Sequence, residues 1–409
     1  MKILFLDAYF APEQISSTHL ENDLLEALTR AGYDVFVICP TPTRGISAAT
    51  AKQYRRIRKE VLYNGHVHVT RFLAPAEGRN PLIRAFRYFW CNIRTYQMGR
   101  KMKKCDLVYC DSTPPTQGWI AGIVARKLKK PLIFSLQDVF PDSLVTAGLT
   151  KEGSIVWRLG RWIENKTYER CDRIIVISKA IKNNLLQKGV DEKKICIISN
   201  WIDTDEIKPV NREDNKLFDE LGIDRSSYII LYAGNFGESQ GADIVLEVAE
   251  VLQNQTNVQF VIFGGGAGYA KAVKQAESMR NVFIHPLMPS DRVSEVYSMG
   301  NIALITTKKG IGKTAMPSKT WSIMACNTRI IASCDLDSEL CDIIRKNNAG
   351  TCVEPQNTNE LARAILEELK MDSSEYSDTR KTVMQIASKN VCTAEYLKQF
   401  HACLEERKG

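Results

Sequence analysis

One pattern of short apolar runs, carried twice, constrains this chain more than any other feature. In the first 200 residues Ile3–Leu6, Val35–Cys39, Leu107–Cys110, Leu132–Leu136 and Ile174–Ile177 are apolar without polar alternation. A strand that is apolar on both faces must be covered on both sides, as strands of parallel sheets are. Another strand closes at Arg71–Phe72 and begins near His66. Helical periodicity at Thr18–Arg30 and Ser154–Tyr168 supplies the crossovers that parallel pairing requires. The polar segment Thr41–Glu60 has no period and reads as a long loop.

The pattern then restarts. Ile229–Ala233, Gln259–Phe263, Val282–Ile284, Ile302–Ile305 and Arg329–Ala332 are strands, with helices at Ala242–Gln253, Tyr269–Ser278 and Asp291–Met299. The expectation is α/β: two tandem Rossmann-like domains, 1–200 and 201–388, facing a central cleft, with a linker around Ser199–Asn215. At 409 residues the chain is too long for one ordinary core, which agrees. Periodicity makes 389–409 a helix, Glu395–Glu406 above all, without assigning it to either domain.

Charge separates the halves. Residues 1–200 hold 32 Lys and Arg against 18 Asp and Glu, and the remainder holds 23 against 29, within a net charge of +8. A basic first half predicts an anionic surface or partner; no recognition motif accompanies it, so nucleic acid is not expected. The twelve cysteines contain no CxxC pair, and several sit inside apolar runs. They read as reduced core thiols, with no disulfide frame or zinc site, in a cytoplasmic protein. The opening MKILFLDAYF reads as a first strand and not a signal peptide. No apolar run approaches the ~20 residues that span a bilayer.

Chemistry concentrates in Thr306–Asn327, where a strand leads through Lys308, Lys309, Gly310, Gly312 and Lys313 to Pro317 and a short buried helix, Ser318–Cys326. Proline suits a first helical turn, and a helix start beside Lys319 suits a phosphate or pyrophosphate. A lysine-decorated surface loop accounts for the same residues. GIGKT is not a nucleoside-triphosphatase loop, because Thr307 stands where that pattern needs glycine and Pro317 delays the helix. FGGGAGY at 263–269 fails as a dinucleotide fingerprint at Tyr269, so no cofactor is expected. Gly234 and Gly237, directly after a first strand, would let backbone approach an anion.

Asn80–Lys104 mixes seven basic residues, among them Arg84, Arg87 and Arg94, with aromatics such as Trp90, and has no acid. That composition suits an interfacial contact with an anionic membrane, or a solvated face over aromatic core. Asp138, just past a strand end, either serves a ligand or makes an Asx-type turn before Pro141. The five histidines are scattered; His66 and His68 alternate on one strand face, a weak metal spacing, and His285 sits just past a strand, at a ligand edge.

Several of these residues also carry a family resemblance. Asp138-Val139-Phe140-Pro141-Asp142, Ser199-Asn200-Trp201-Ile202-Asp203, Ala233-Gly234-Asn235-Phe236-Gly237 with Gln240-Gly241, and Pro317-Ser318-Lys319 with Met324-Ala325-Cys326 resemble a family 4 glycosyltransferase of GT-B architecture. The nearest branch builds bacterial capsule, exopolysaccharide and O-antigen units. The resemblance implies retaining transfer from a nucleotide-sugar donor, UDP-linked, to a polyprenyl-diphosphate-linked or saccharide acceptor at the inner face of the cell membrane. It places the donor against Gly234, Asn235, Gly237, Gln240, Gly265, His285, Leu287, Thr314, Met316, Pro317, Ser318 and Ser322. Lys319 would stabilise the departing diphosphate, Asp138 would serve the reacting sugar, and Thr113 and Pro114 would line the acceptor side. The final helix is expected to return to the first domain.

The chain also departs from that family. Two glutamates usual there are replaced by Thr314 and Ser322, and an arginine and a lysine on the diphosphate by Asn235 and Gln240. Those losses raise a second reading, a non-catalytic subunit that binds or stabilises a partner glycosyltransferase.

Overall fold

In the computed structural model the chain divides into two units, Met1–Ser199 with Cys392–Gly409, and Asn200–Val391. All residues are described except 16, 78–80, 147, 314–315, 372–376 and 407–409, together with the side chains of 81, 82 and 313.

The first unit is built on an eight-stranded sheet. Its strands are β1 (Lys2–Leu6), β2 (Asp34–Pro40), β3 (Lys59–Leu62), β4 (Val67–Phe72), β5 (Leu107–Asp111), β6 (Leu132–Leu136), β7 (Arg173–Val176) and β8 (Ile195–Ile197). They lie in the order β3-β4-β2-β1-β5-β6-β7-β8, every pair parallel except β3 with β4. The central strands β1, β5 and β6 are almost wholly buried, which is why their sequences carry no polar alternation.

Three strands escaped the pattern of apolar runs: β3, β8 and β14 (Gly350–Val353). Each is a sheet edge partly open to solvent; β3 and β14 carry polar residues there, and β8, though apolar, is a run of only 3 residues. The segment Thr41–Glu60 is therefore not one long loop; it contains a helix, Ala48–Tyr54, and the start of β3.

The second unit holds a six-stranded, all-parallel sheet. It is made of β9 (Tyr228–Asn235), β10 (Val258–Gly265), β11 (Val282–Pro286), β12 (Ile302–Thr306), β13 (Arg329–Ser333) and β14, in the order β11-β10-β9-β12-β13-β14. The chain winds outward one way from β9 and then the other, so the switch point lies between β9 and β12. Ligands of open α/β sheets bind outside the carboxyl ends of strands at that point.

The Ser199–Asn215 segment is no loose tether, for Trp201 and Ile202 are buried and Ile202 exchanges backbone hydrogen bonds with Ala387 and Lys389. The last helix, Lys389–Glu405, packs its end into the first unit. There Tyr396 Oη and Ser135 Oγ lie 3.0 Å apart, and the Phe400 ring lies 5.4 Å from that of Tyr109.

Candidate active site

In the second unit the loops after β9, β11 and β12 enclose a cavity of about 450 Å³. Gly234, Asn235 and Gln240 line it from the first loop, and Leu287, Met288 and Pro289 from the second. Thr307, Ile311, Met316, Pro317, Ser318 and Lys319 line it from the third. Of the residues assigned to a donor from sequence, Gly237, Gly265, His285 and Ser322 are not in the lining. Ser322 is buried one turn inside the helix Lys319–Ala325, and Thr314 lies outside the described residues.

Lys319 is the cavity's cation. Its Nζ donates to the Ala233 carbonyl at 3.1 Å and stands 4.3 Å from the centre of the Tyr232 ring. A Cβ at position 234 would come within 2.8 Å of Nζ, so a larger residue there would push the ammonium from its present place. Tyr232 Oη donates to the Asn235 carbonyl at 3.1 Å, tying the strand end to the loop. Among the described residues Lys319 has no carboxylate partner. Burial among neutral groups pushes its pKa down to about 8, because desolvation disfavours the charged form.

Among the described residues, Thr307 Oγ1 in the cavity wall and His285 Nε2 outside the lining are buried with no hydrogen-bond partner. Burial lowers the His285 pKa, which keeps the imidazole neutral, and its ring lies 5.8 Å from that of Phe263.

The glycine-rich loop behaves differently from its phosphate-loop echo. Both carboxylate oxygens of Asp335 accept from the Gly310 N–H at 2.9 Å, and Oδ2 also accepts from the Gly312 N–H at 3.0 Å. These are the backbone donors that such a loop would aim at phosphate, and a protein carboxylate already holds them. Gly310 has φ +88°, and a Cβ at Gly312 would meet Ser338 Cβ at 2.6 Å, so both glycines serve the clamp. On the other side the Lys308 N–H donates to Ser239 O at 3.1 Å. The loop is thus held between two neighbours and presents Ile311 to the cavity. Nothing in the local spelling announces Asp335 as its partner.

The first unit carries a different edge. Asp7 follows β1, Asp111 ends β5 and Glu21 stands on the first helix, with carboxylate oxygens within 4.8 Å of one another. Sequence reasoning missed this group, because its members are far apart in the chain. The distances would suit a metal ion, but burial raises all three carboxyls, and neutral, hydrogen-bonded acids are the state that burial favours.

Asp138 follows β6, is reached by solvent, and has its carboxyl raised by the surrounding protein against a hydrogen bond from Ser143. Thr113 is half-buried, and its N–H donates to Asp111 Oδ1 at 3.3 Å. Pro114 is buried, which corrects its assignment as a surface for an acceptor.

The basic helix, Pro81–Gly99, needs one further correction. Arg87 is 1% exposed and donates to the Pro75 carbonyl in the field of Glu13 and Glu77, so it cannot touch a membrane. Arg84 is exposed and Arg94 half-buried, and Trp90 keeps a solvent-facing edge while Nε1 donates to Leu73 O at 2.8 Å.

Two family models cover most of the chain: "Glycosyltransferase Family 4" over residues 21–206 and "Glycosyl transferases group 1" over 213–386. The chain is a GT-B glycosyltransferase. The probable glycosyltransferase WbjE of Pseudomonas aeruginosa is 25% identical over 337 residues, covering 81% of this chain and 83% of that one. The putative colanic acid biosynthesis glycosyl transferase WcaI of Escherichia coli K12 is 28% identical over 243 residues, 58% of this glycosyltransferase and 60% of WcaI. Among solved structures, sucrose-phosphate synthase from Thermosynechococcus elongatus superposes with a TM-score of 0.75 at 16% identity, over 99% of this chain and 100% of that one. Anabaena HepE in complex with UDP gives 0.71 at 15% identity, over 98% and 100%. At such identities these structures speak for the fold.

Proposed function

We propose that this glycosyltransferase moves a sugar, with retention at the anomeric carbon, from a UDP-sugar held in the second unit to a polyprenyl-diphosphate-linked acceptor at the membrane. The product would be a unit of cell-surface polysaccharide. The observation that carries the reading is Lys319: a partly buried cation with no carboxylate partner among the described residues, at the switch point of a parallel sheet. A diphosphate beside Nζ would supply the missing counter-charge. As the bond from anomeric carbon to diphosphate oxygen breaks, that ammonium faces the charge developing on the leaving group. Glycines after β9 leave backbone accessible there, and Leu287, Met288 and Met316 offer an apolar wall.

Two outside observations and one of this chain support the reading. HepE is crystallised with UDP, WcaI is named for colanic acid biosynthesis, and no helix among the described residues is long and apolar enough to cross a membrane. A peripheral contact would then be needed to reach a lipid-linked acceptor, and the exposed Arg84 on the helix Pro81–Gly99 is a candidate for it, with Arg94 nearby.

Calorimetric titration with UDP, followed by a panel of nucleotide-sugars, tests the reading. Binding of UDP that Lys319→Ala weakens is the expected result. Silence at roughly millimolar UDP would return the question to the partner-subunit reading.

A further inference from the structure

An apolar surface on the first unit is used neither by its core nor by the residues assigned to donor and acceptor. It lies on the helix Ile155–Arg170 and the loop before it, where Ile155 is 87% exposed, Leu149 75%, Leu159 57%, Val156 55% and Trp162 47%. Residues 155, 159 and 162 are spaced to share one face. A second exposed set stands on Pro81–Gly99, with Phe89 at 63%, Phe86 at 57% and Ile83 at 47%.

The two helices are neighbours of one helix, Gln117–Leu128. Gly99 lies so close that a Cβ there would meet Val124 at 3.0 Å, and the Trp162 ring is 5.5 Å from that of Trp119. Both also run the same way relative to the sheet. Pro81–Gly99 connects β4 to β5, and Ile155–Arg170 connects β6 to β7, all with parallel direction. Crossover helices run opposite to the strands, so their N-terminal halves lie at the strands' carboxyl ends. Every exposed apolar residue named above is in or just before such a half. Asp138, directly after β6, is at that same end.

Charge decides the partner. Residues 149–162 hold Lys151 and Arg158 against Glu152, with Arg161 paired to the buried Glu164, and 81–104 hold no acid. Exposed aliphatic and aromatic side chains flanked by cations match the interface of an anionic bilayer.

We infer that the helix Ile155–Arg170 is a second membrane-contacting element, which with Pro81–Gly99 lays the carboxyl-end edge of the first sheet against anionic lipid. The inference rests on the membrane reading above and adds a surface to it. It also gives that reading a geometry, since a lipid-linked acceptor would arrive at the edge that carries Asp138.

The test is co-sedimentation of the full chain with phosphatidylcholine vesicles, with and without phosphatidylglycerol. The variants are Ile155→Ser with Leu159→Ser, and Phe86→Ser with Phe89→Ser; all four side chains are more than half exposed, and far-UV circular dichroism checks the fold. Each pair should lower partitioning to phosphatidylglycerol vesicles by roughly tenfold or more, and the four together should abolish it. If the Ile155/Leu159 pair binds like the parent while the Phe86/Phe89 pair does not, the inference is overturned and the membrane reading stands. A parent protein that binds neither vesicle overturns both. A concentration-dependent dimer that the Ile155/Leu159 pair converts to monomer would show the face to be a protein interface, and would also overturn it.

Discussion

The two sheets present opposite chemistry at equivalent places. At the carboxyl ends of β9 and β12 the second unit offers a lysine among neutral groups. At the carboxyl ends of β1 and β5, where the first sheet also reverses its winding, Asp7, Glu21 and Asp111 gather buried carboxyls. Lys319 opposes the net acidity of residues 201–409, whereas the buried acids, held neutral, add no charge to the net basic residues 1–200. Net charge acts through the solvated surface, whereas a site is set by the few groups that burial isolates from water. The fold supplies the place, and those few side chains decide what it can hold.

The largest effect that would break this contrast comes from the cation. Lys319→Ala should lower turnover by roughly 100-fold or more, more than it raises the donor KM, in steady-state assays with the donor that the panel identifies. Unchanged kinetics would remove Lys319 from the chemistry and leave the two edges functionally alike.

The loop clamp comes next. Asp335→Ala frees the Gly310 and Gly312 N–H groups and should raise the donor KM by roughly tenfold, the value of one lost charge-assisted bond, with a smaller effect on kcat. Asp335→Asn keeps acceptor capacity and should fall between. Equal kinetics in all three proteins would mean that the loop needs no anchor.

Proton linkage sharpens the cation side. Lys319 has a pKa near 8 in the free protein, and a bound diphosphate would raise it. Binding would then take up a proton above pH 8. Affinity for UDP should hold below that pH and fall by up to tenfold per unit above it, by calorimetry across about pH 7 to 9.5. In Lys319→Met that component should vanish.

On the acidic side the sign reverses in origin and the effect is smaller. Raised carboxyl pKa values mean that the folded chain holds protons which the unfolded chain releases. The cluster's contribution to stability is therefore fully present below the unfolded carboxylate pKa and is lost as pH rises through the folded values. Glu21→Gln, uncharged at every pH, should stabilise the protein near neutrality by about 1 kcal/mol, with a gain that shrinks toward acid pH. Thermal melts at several pH values measure it. A uniform loss of stability would instead mark Glu21 as an ionised partner.

Fold and site were not equally legible in the chain. Strands buried on both faces could be read directly, because covering both sides removes every polar alternative. The edge strands β3 and β14 could not, since polar residues serve where they meet water, and β8 is an apolar run of only 3 residues. The helix Thr18–Arg30 has the bounds that its periodicity predicts. Along the lysine-rich stretch, sequence placed Lys319 and Pro317 in a loop after a parallel strand, and both line the cavity. It could not say where the loop glycines point; their N–H groups turn to Asp335, 25 residues from Gly310. Arg87 shows the same limit, being one arginine of a basic helix that turns inward.

By itself, then, the sequence determined the alternation of buried strands and helices, hence two parallel-sheet units and the loops able to hold a ligand. Tertiary structure alone decided which backbone donors were already taken, which arginine was buried, and which acids met. The physical reason is range. Burial patterns repeat at the period of a single element, but a hydrogen bond or a desolvated charge depends on groups that the fold brings together from far along the chain.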